Sequence, residues 1–322
     1  MSRRVLVTGA SGFAGGHLVA ACSAEGDEVV ALSRSGAAVA DGGPGGLVAD
    51  LLDPAAVRAA VAESAPDVVF HLAALAHVGR SWGDPATTLA HNQSMTLNLL
   101  EAVRAEAPDA VVVAVSSGEV YGPPSALPVD EAAALRPQNP YAVSKAAADL
   151  LAGFYADAYG LRVVRARAFN HAGPGQPPLY ALASFTRQVA AGLEAGDDPI
   201  RIVTGNPDAR RDFTDVRDVV RAYRLLAEAG EPGIFNVCSG RSASARELLT
   251  ALAEVAGVEI DHRVDPALVR AHEVMEIRGS AEKLRAATGW EPEMPLERTL
   301  ADTVAWWREE IRAAGAQTRV HE

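Results

Sequence analysis

Two cysteines, Cys22 and Cys238, are all that the 322 residues contain; they lie far apart, and no Cys/His cluster has zinc-ligand spacing. A disulfide-stapled module is excluded, and a metal-free protein of a reducing compartment is expected. Positive charge is scarce too. Lys+Arg is 29 against Asp+Glu 41, a formal charge of −12 with a pI near 5.2. That sign argues against a general nucleic-acid or anionic-membrane surface, so an anionic ligand must be met by a few local arginines. No apolar run reaches the length of a signal or membrane span: Met-Ser-Arg-Arg passes straight into the strand-like Val5-Leu6-Val7. A cytoplasmic protein without membrane contact is expected. Lysine is as scarce as cysteine, with only Lys145 and Lys283 among the 29 basic residues. Where arginine has taken every generic positive charge, a remaining lysine calls for a reason.

What is present is ordinary globular composition, 49% hydrophobic and 22% charged. Short β-rich runs at Val5–Thr8, Glu28–Ser33, Gly46–Asp50, Asp67–Leu72, Ala110–Ser116, Leu161–Ala168 and Ile234–Val237 alternate with helical stretches. Most are apolar on both faces, as strands covered by helices on both sides must be. The pattern predicts an α/β protein with a Rossmann-type doubly wound parallel sheet, its strand C-termini along one ligand-binding edge. After about residue 170, Gly/Pro-rich connections separate helical patterns at roughly 181–195, 215–229, 244–256 and 296–313. A smaller, mainly helical C-terminal lobe is expected from 169–211 and 239–322. The sheet domain would take 1–168, with 212–238 returning to it.

Strand, glycine-rich turn and helix follow one another in Val5–Gly15. The Gly9-x-x-Gly12-x-x-Gly15 spacing lets backbone approach a pyrophosphate closely and aims a helix N-terminus at it. Gly9, Ser11, Gly12, Phe13 and Gly15 are therefore candidate dinucleotide contacts. At the end of the second strand, Ser33-Arg34 offers one cation and no carboxylate, which favours a ribose 2′-phosphate and hence NADP(H); NAD(H) stays open. Asp50-Leu51 falls where a side chain could reach the adenine. Ala73-Ala74 is small enough to let a cofactor lie flat.

Lys145 stands four residues after Tyr141. With Asn139 as N-cap and Pro140 as first helical residue, both side chains fall on one helix face. A phenol is a sluggish proton donor near neutrality, and a neighbouring ammonium together with a positively charged ring is expected to lower its pKa. Upstream, Ser116-Ser117-Gly118-Glu119 lies at a strand C-terminus, where Ser117 could bond the substrate oxygen that Tyr141 protonates.

The glycine triplet, the Ser-rich strand end, Tyr141-x-x-x-Lys145 and Arg167-x-x-Asn170-x-x-Gly173-Pro174 together resemble the extended short-chain dehydrogenase/reductases that act on nucleotide-diphosphate sugars, over nearly the whole chain. The resemblance implies a catalytic triad of Ser117, Tyr141 and Lys145, with Lys145 also holding the nicotinamide ribose and Asn170 at the substrate. Ala168–Gln176, Arg211–Val219 and Phe235–Gly240 are similar to the reductases of GDP-4-dehydro-6-deoxy-D-mannose, which form GDP-D-rhamnose. By that likeness Arg211 holds the diphosphate, and Arg270 and Glu273 meet the nucleotide in an Arg-Pro-x-Glu element whose proline is here Ala271. Arg187 is a further candidate for the nucleotide end.

The implied reaction is NADPH-dependent reduction of a 4-keto GDP-sugar, with Tyr141 as proton donor. GDP-mannose 4,6-dehydratases share the layout and use a glutamate at the Glu119 position as a base, but carry a longer arginine-rich insertion where Ser35–Gly46 is short and glycine-rich. Glu119 is then a pocket hydrogen-bonder in one reading and a base in the other. A 4-epimerase or other nucleotide-sugar reductase also stays open, as does a cofactor sensor without chemistry. The family further implies a homodimer, in which the helix from Pro140 and one spanning roughly 84–105 form a four-helix bundle.

Overall fold

The structure, a computed structural model, describes residues 2–34, 46–269 and 274–320. Strands β1 (Arg4–Thr8), β2 (Glu28–Ser33), β3 (Gly46–Val48), β4 (Val68–His71), β5 (Val111–Ser117) and β6 (Arg162–Ala168) belong to one sheet. β7 (Asn170–Ala172), β8 (Ile200–Thr204) and β9 (Arg210–Asp215) lie outside it, and β10 (Gly233–Val237) returns to it. The seven strands run in the order β3-β2-β1-β4-β5-β6-β10, all parallel. This is the doubly wound sheet expected from the sequence, with the strand C-termini on one edge.

Helices α1 (Phe13–Ala24), α2 (Pro54–Ser64), α3 (Val78–Gly83), α4 (Pro85–Glu106), α5 (Pro140–Tyr159), α6 (Ala181–Ala195) and α7 (Val216–Ala229) follow in turn. Three of them begin on an acceptor cap followed by proline: Asp53-Pro54, Asp84-Pro85 and Asn139-Pro140, each cap side chain accepting a first-turn amide. Val5 and Val7 of β1 face Leu18, Cys22, Val219 and Leu226 of α1 and α7. Leu6 between them faces Val57, Leu99, Val103 and Ala152 of α2, α4 and α5. Each of the valines and leucines among them, fully buried, contributes about 1.5–3 kcal/mol.

The second lobe carries α8 (Ala245–Ala256) and α10 (Leu296–Val320), which pack with α6 around Phe185, Ile202, Leu248, Leu252 and Leu300. It also has strands that the sequence reading did not resolve. β11 (Ser242–Ser244) and β13 (Glu276–Ile277) flank β9, which also pairs with β7, and β12 (Ile260–Val264) pairs with β8. They are too short and too polar to stand out as a period. α9 (Glu282–Thr288) crosses back: Leu284 and Trp290 are fully buried in the sheet's own core. Among the described residues no helix is long and apolar enough to cross a membrane.

Candidate active site

A cavity of about 890 Å³ follows the C-terminal edge of the sheet and is lined by both lobes. At one end is the turn between β1 and α1. Gly9 has φ +71°, and a Cβ there would stand 2.8 Å from the Ala73 backbone nitrogen; a Cβ on Gly15 would stand 2.1 Å from the Gly9 oxygen. The turn can close only with hydrogen at these positions. Gly12 caps α1 with no side-chain bond to its first amides, so the helix N-terminus faces the cavity without an internal acceptor from that cap. Gly9, Ser11, Gly12, Phe13, Gly15, Ser33, Arg34, Asp50, Leu51, Ala73 and Ala74 all line this cavity. The segment after Arg34, compared above with the dehydratase insertion, lies outside the described residues up to Gly46.

Ser117, Glu119, Tyr141 and Lys145 line the same cavity. Ser117 ends β5, and its hydroxyl accepts from the Glu119 amide at 3.2 Å. Asn139 accepts the Ala142 amide at 2.8 Å as the cap of α5 while donating to Glu119 Oε2 at 3.2 Å. The Glu119 carboxylate is thereby tied to the start of the helix that carries Tyr141. Lys145 is buried and donates from Nζ to the Val115 carbonyl at 2.5 Å.

The charge pattern corrects one expectation. Burial pushes the Tyr141 phenol well above its usual range, the nearby Ser117 hydroxyl offsets this only in part, and the Glu119 charge adds to it. Among the protein's own groups, then, the phenol is held protonated rather than acidified. Burial also brings the Lys145 ammonium down to about 8, with Asp149 pulling it upward. Asp149 is itself clasped by Arg167 at 2.9 and 3.0 Å. Nearby, His71 lies between Thr8 and Thr96. Thr96 gives its proton to the Asn92 carbonyl and so accepts from Nε2, leaving Nδ1 to accept from Thr8. Burial, with the Lys145 charge adding to it, brings that imidazole down to about 3, so it stays neutral.

Toward the second lobe, Asn170 and Arg211 line the cavity. Arg211 Nη1 donates to the Arg210 and Val274 carbonyls at 2.9 and 2.8 Å, so part of its guanidinium braces backbone. Arg187 does not line it: exposed on α6, it lies over the Trp307 ring, 5.7 Å from the centroid. Arg187 is three positions along the helix from Ser184, on the face toward α10, which is why its motif position misled. Arg270 and Glu273 lie outside the described residues.

Several lining residues escaped the sequence reading. His171 stacks on Phe13 with centroids 5.9 Å apart and planes within 8°, joining the dinucleotide turn to β7. His77 and Tyr180 meet from opposite lobes, 5.8 Å between centroids, beside Arg80. Ser116 Oγ, Gln176 Oε1 and the Tyr223 hydroxyl are buried, line the cavity and have no hydrogen-bond partner among the described residues. Polar atoms are seldom left this way. An open helix N-terminus, two glycines forced by backbone contact and these partnerless atoms suit an elongated ligand with an anionic middle and polar ends, as a dinucleotide is. Only tertiary folding brings His171, Gln176 and Tyr223 to this wall, and no local spacing could have singled them out.

Comparison with known proteins agrees with this geometry. The family model described as GDP-mannose 4,6 dehydratase matches residues 6–303. A GDP-6-deoxy-D-mannose reductase of Pseudomonas aeruginosa is 40% identical over 315 residues, covering 97% of this chain and 99% of that protein. The structure of RMD from Pseudomonas aeruginosa complexed with NADPH superposes with a TM-score of 0.85 at 38% identity, covering 96% of this chain and all of that one. A UDP-glucose 4-epimerase of Mycolicibacterium smegmatis is 33% identical, covering 95% and 98%. A chain matched along almost its full length in both sequence and fold is a member of the GDP-mannose 4,6-dehydratase family, with the extended short-chain dehydrogenase/reductase architecture.

Proposed function

We propose that the protein is an NADPH-dependent oxidoreductase that reduces the 4-keto group of GDP-4-dehydro-6-deoxy-D-mannose to give GDP-D-rhamnose. The observation that carries this reading is the Ser117–Tyr141–Lys145 set on the cavity wall, in a chain 40% identical to a GDP-6-deoxy-D-mannose reductase. When bound, the reduced nicotinamide supplies the hydride that C4 receives. Tyr141 gives a proton to the alkoxide that develops at the C4 oxygen, and a phenol kept protonated by burial suits that direction. Ser117 holds the phenol in place. Lys145, its ammonium held by the Val115 carbonyl and favoured by the Asp149 charge, stabilises the negative charge as it forms.

Gly9, Gly12 and the first turn of α1 would hold the pyrophosphate, Arg34 the 2′-phosphate, and Asp50, Leu51, Ala73 and Ala74 the adenine half. Asn170 and Arg211 would meet the GDP-sugar. The sheet domain then comprises 1–168 and 212–238, the rest forming the substrate lobe apart from the crossing at α9. Leu97 of α4 and Val143, Leu150 and Phe154 of α5 are exposed large apolar side chains on adjacent helices. A second copy covering them would make a homodimer through a four-helix bundle. Synthesis and use of the sugar in the cytoplasm belong to the same reading.

The rival dehydratase reading has one observation in its favour, Glu119 on the cavity wall beside Tyr141. Its bond to the Asn139 cap weighs the other way, because a general base at the sugar must be free to turn to it. The test supplies GDP-mannose, a purified GDP-mannose 4,6-dehydratase and NADPH, follows absorbance at 340 nm and identifies the sugar by NMR. NADPH consumption that depends on the added dehydratase, with GDP-D-rhamnose as product, is expected. A 4-keto sugar formed without that enzyme would favour the rival, and NADPH bound but never consumed would leave a sensor.

A further inference from the structure

We propose that the Tyr223 hydroxyl is a cofactor-positioning group that bonds the carboxamide of the dinucleotide's nicotinamide ring. The proposal rests on the NADPH reading above. Tyr223 sits on α7, and its neighbours on that helix's buried face, Val216, Val219, Val220, Leu226 and Ala227, are all hydrocarbon. The residue is 0% exposed and packs in the sheet core, yet its oxygen has no partner among the described residues and it lines the cavity. Phenylalanine would fill the same space with no polar atom to satisfy. A buried hydroxyl without a partner destabilises the fold that keeps it, and one on a cavity wall is placed for a partner from outside the chain.

Position indicates what that is. Gly9, Val115 and Ala168 line the cavity too, from the ends of β1, β5 and β6, and α7 packs against β5 and β6 from below. Tyr223 lines the cavity from the helix packed against β5, whose Val115 carbonyl holds the Lys145 ammonium, and this places it toward the reacting end of the trough. The anionic middle of the ligand belongs to the α1 turn. At the reacting end, the groups of a dinucleotide able both to donate to and to accept from a hydroxyl are the nicotinamide ribose hydroxyls and the ring amide; with the ribose held by Lys145, the ring amide is left for Tyr223.

Tyr223→Phe tests this by opposite changes in two properties. Removing the partnerless oxygen should leave the melting temperature of the ligand-free protein equal or higher, while the Kd for NADPH, read by fluorescence titration, weakens about five- to tenfold. Affinity for 2′-phospho-ADP-ribose, which lacks the ring, should stay within about twofold of wild type. An unchanged NADPH affinity overturns the proposal. Equal losses for both ligands overturn the assignment to the ring, and a lower melting temperature with lower affinity makes the hydroxyl structural. Wild-type protein that binds no NADPH overturns the functional reading as well, which separates the two failures.

Discussion

The two ends of the cavity are built differently. At the dinucleotide end the shape is made by backbone: β1, the Gly9–Gly15 turn and α1 are contiguous, and two glycines are forced because carbonyl and amide atoms stand where Cβ atoms would be. At the substrate end the shape is made by side chains from β7, β9 and β13 that meet only after the chain has crossed between lobes more than once. Arg211 spends part of its guanidinium on neighbouring carbonyls. The first kind of site tolerates almost no change in covalent geometry. The second can be retuned residue by residue, which suits a fold whose relatives include both GDP-sugar and UDP-sugar enzymes.

The sharpest break should come where the two ends meet. Tyr141→Phe keeps the ring and removes the proton, so turnover followed at 340 nm should fall by about 10²–10⁴ while the NADPH Kd stays within about threefold. A variant that turns over at the wild-type rate would remove Tyr141 from the chemistry. Next in size is a neighbouring glycine pair. Gly15→Ala drives a methyl to 2.1 Å from the Gly9 oxygen, whereas nothing lies within 4 Å of a Cβ on Gly16. The first should cost about 2–4 kcal/mol and most of the cofactor affinity, and the second should stabilise α1 by roughly 0.5–1 kcal/mol. Urea unfolding and NADPH titration of both proteins check this; equal effects would mean that the turn is not fixed by backbone contact. Smaller again, Arg34→Ala should weaken NADPH by about tenfold and leave NADH nearly unchanged. An equal loss for both would take the 2′-phosphate away from Arg34.

How much of this could be read beforehand follows the same division. Strands such as Glu28–Ser33 and the cap-proline start at Asn139-Pro140 were legible because local periodicity and local capping cause them. The Tyr141/Lys145 pair was legible because helix spacing alone puts both on one face. Tyr223 and Gln176 were not, since a tyrosine on an amphipathic helix reads as core and a glutamine in a Gly/Pro-rich loop reads as solvent. Arg187 failed for the same reason in reverse: a helical arginine near a motif can turn to either side, and Trp307 from a segment 120 positions later decided it. Among the protein's own groups the phenol is raised and not lowered, because spacing can place charges side by side but cannot weigh their interaction against desolvation.

That weighing gives the mildest prediction. Lys145 is brought down to about 8, while Tyr141 is raised out of the working range and His71 is held neutral down to about 3. Between pH 6 and 10 the ammonium is then the group of the three that changes charge. If it stabilises the developing alkoxide, kcat/KM should be level through pH 7, halve near pH 8 and fall about tenfold per further unit, with no break near the ordinary histidine value. Stability should move the other way. The folded pKa lies below the unfolded value, so between about 8 and 10.5 the unfolded chain binds more protons and the contribution of Lys145 rises with pH. Lys145→Arg, which cannot lose its proton there, should be slower throughout and show no break near pH 8. If its profile still breaks at that pH, the titrating group is another one, and the substrate end, with the GDP-sugar itself, is the place to look for it.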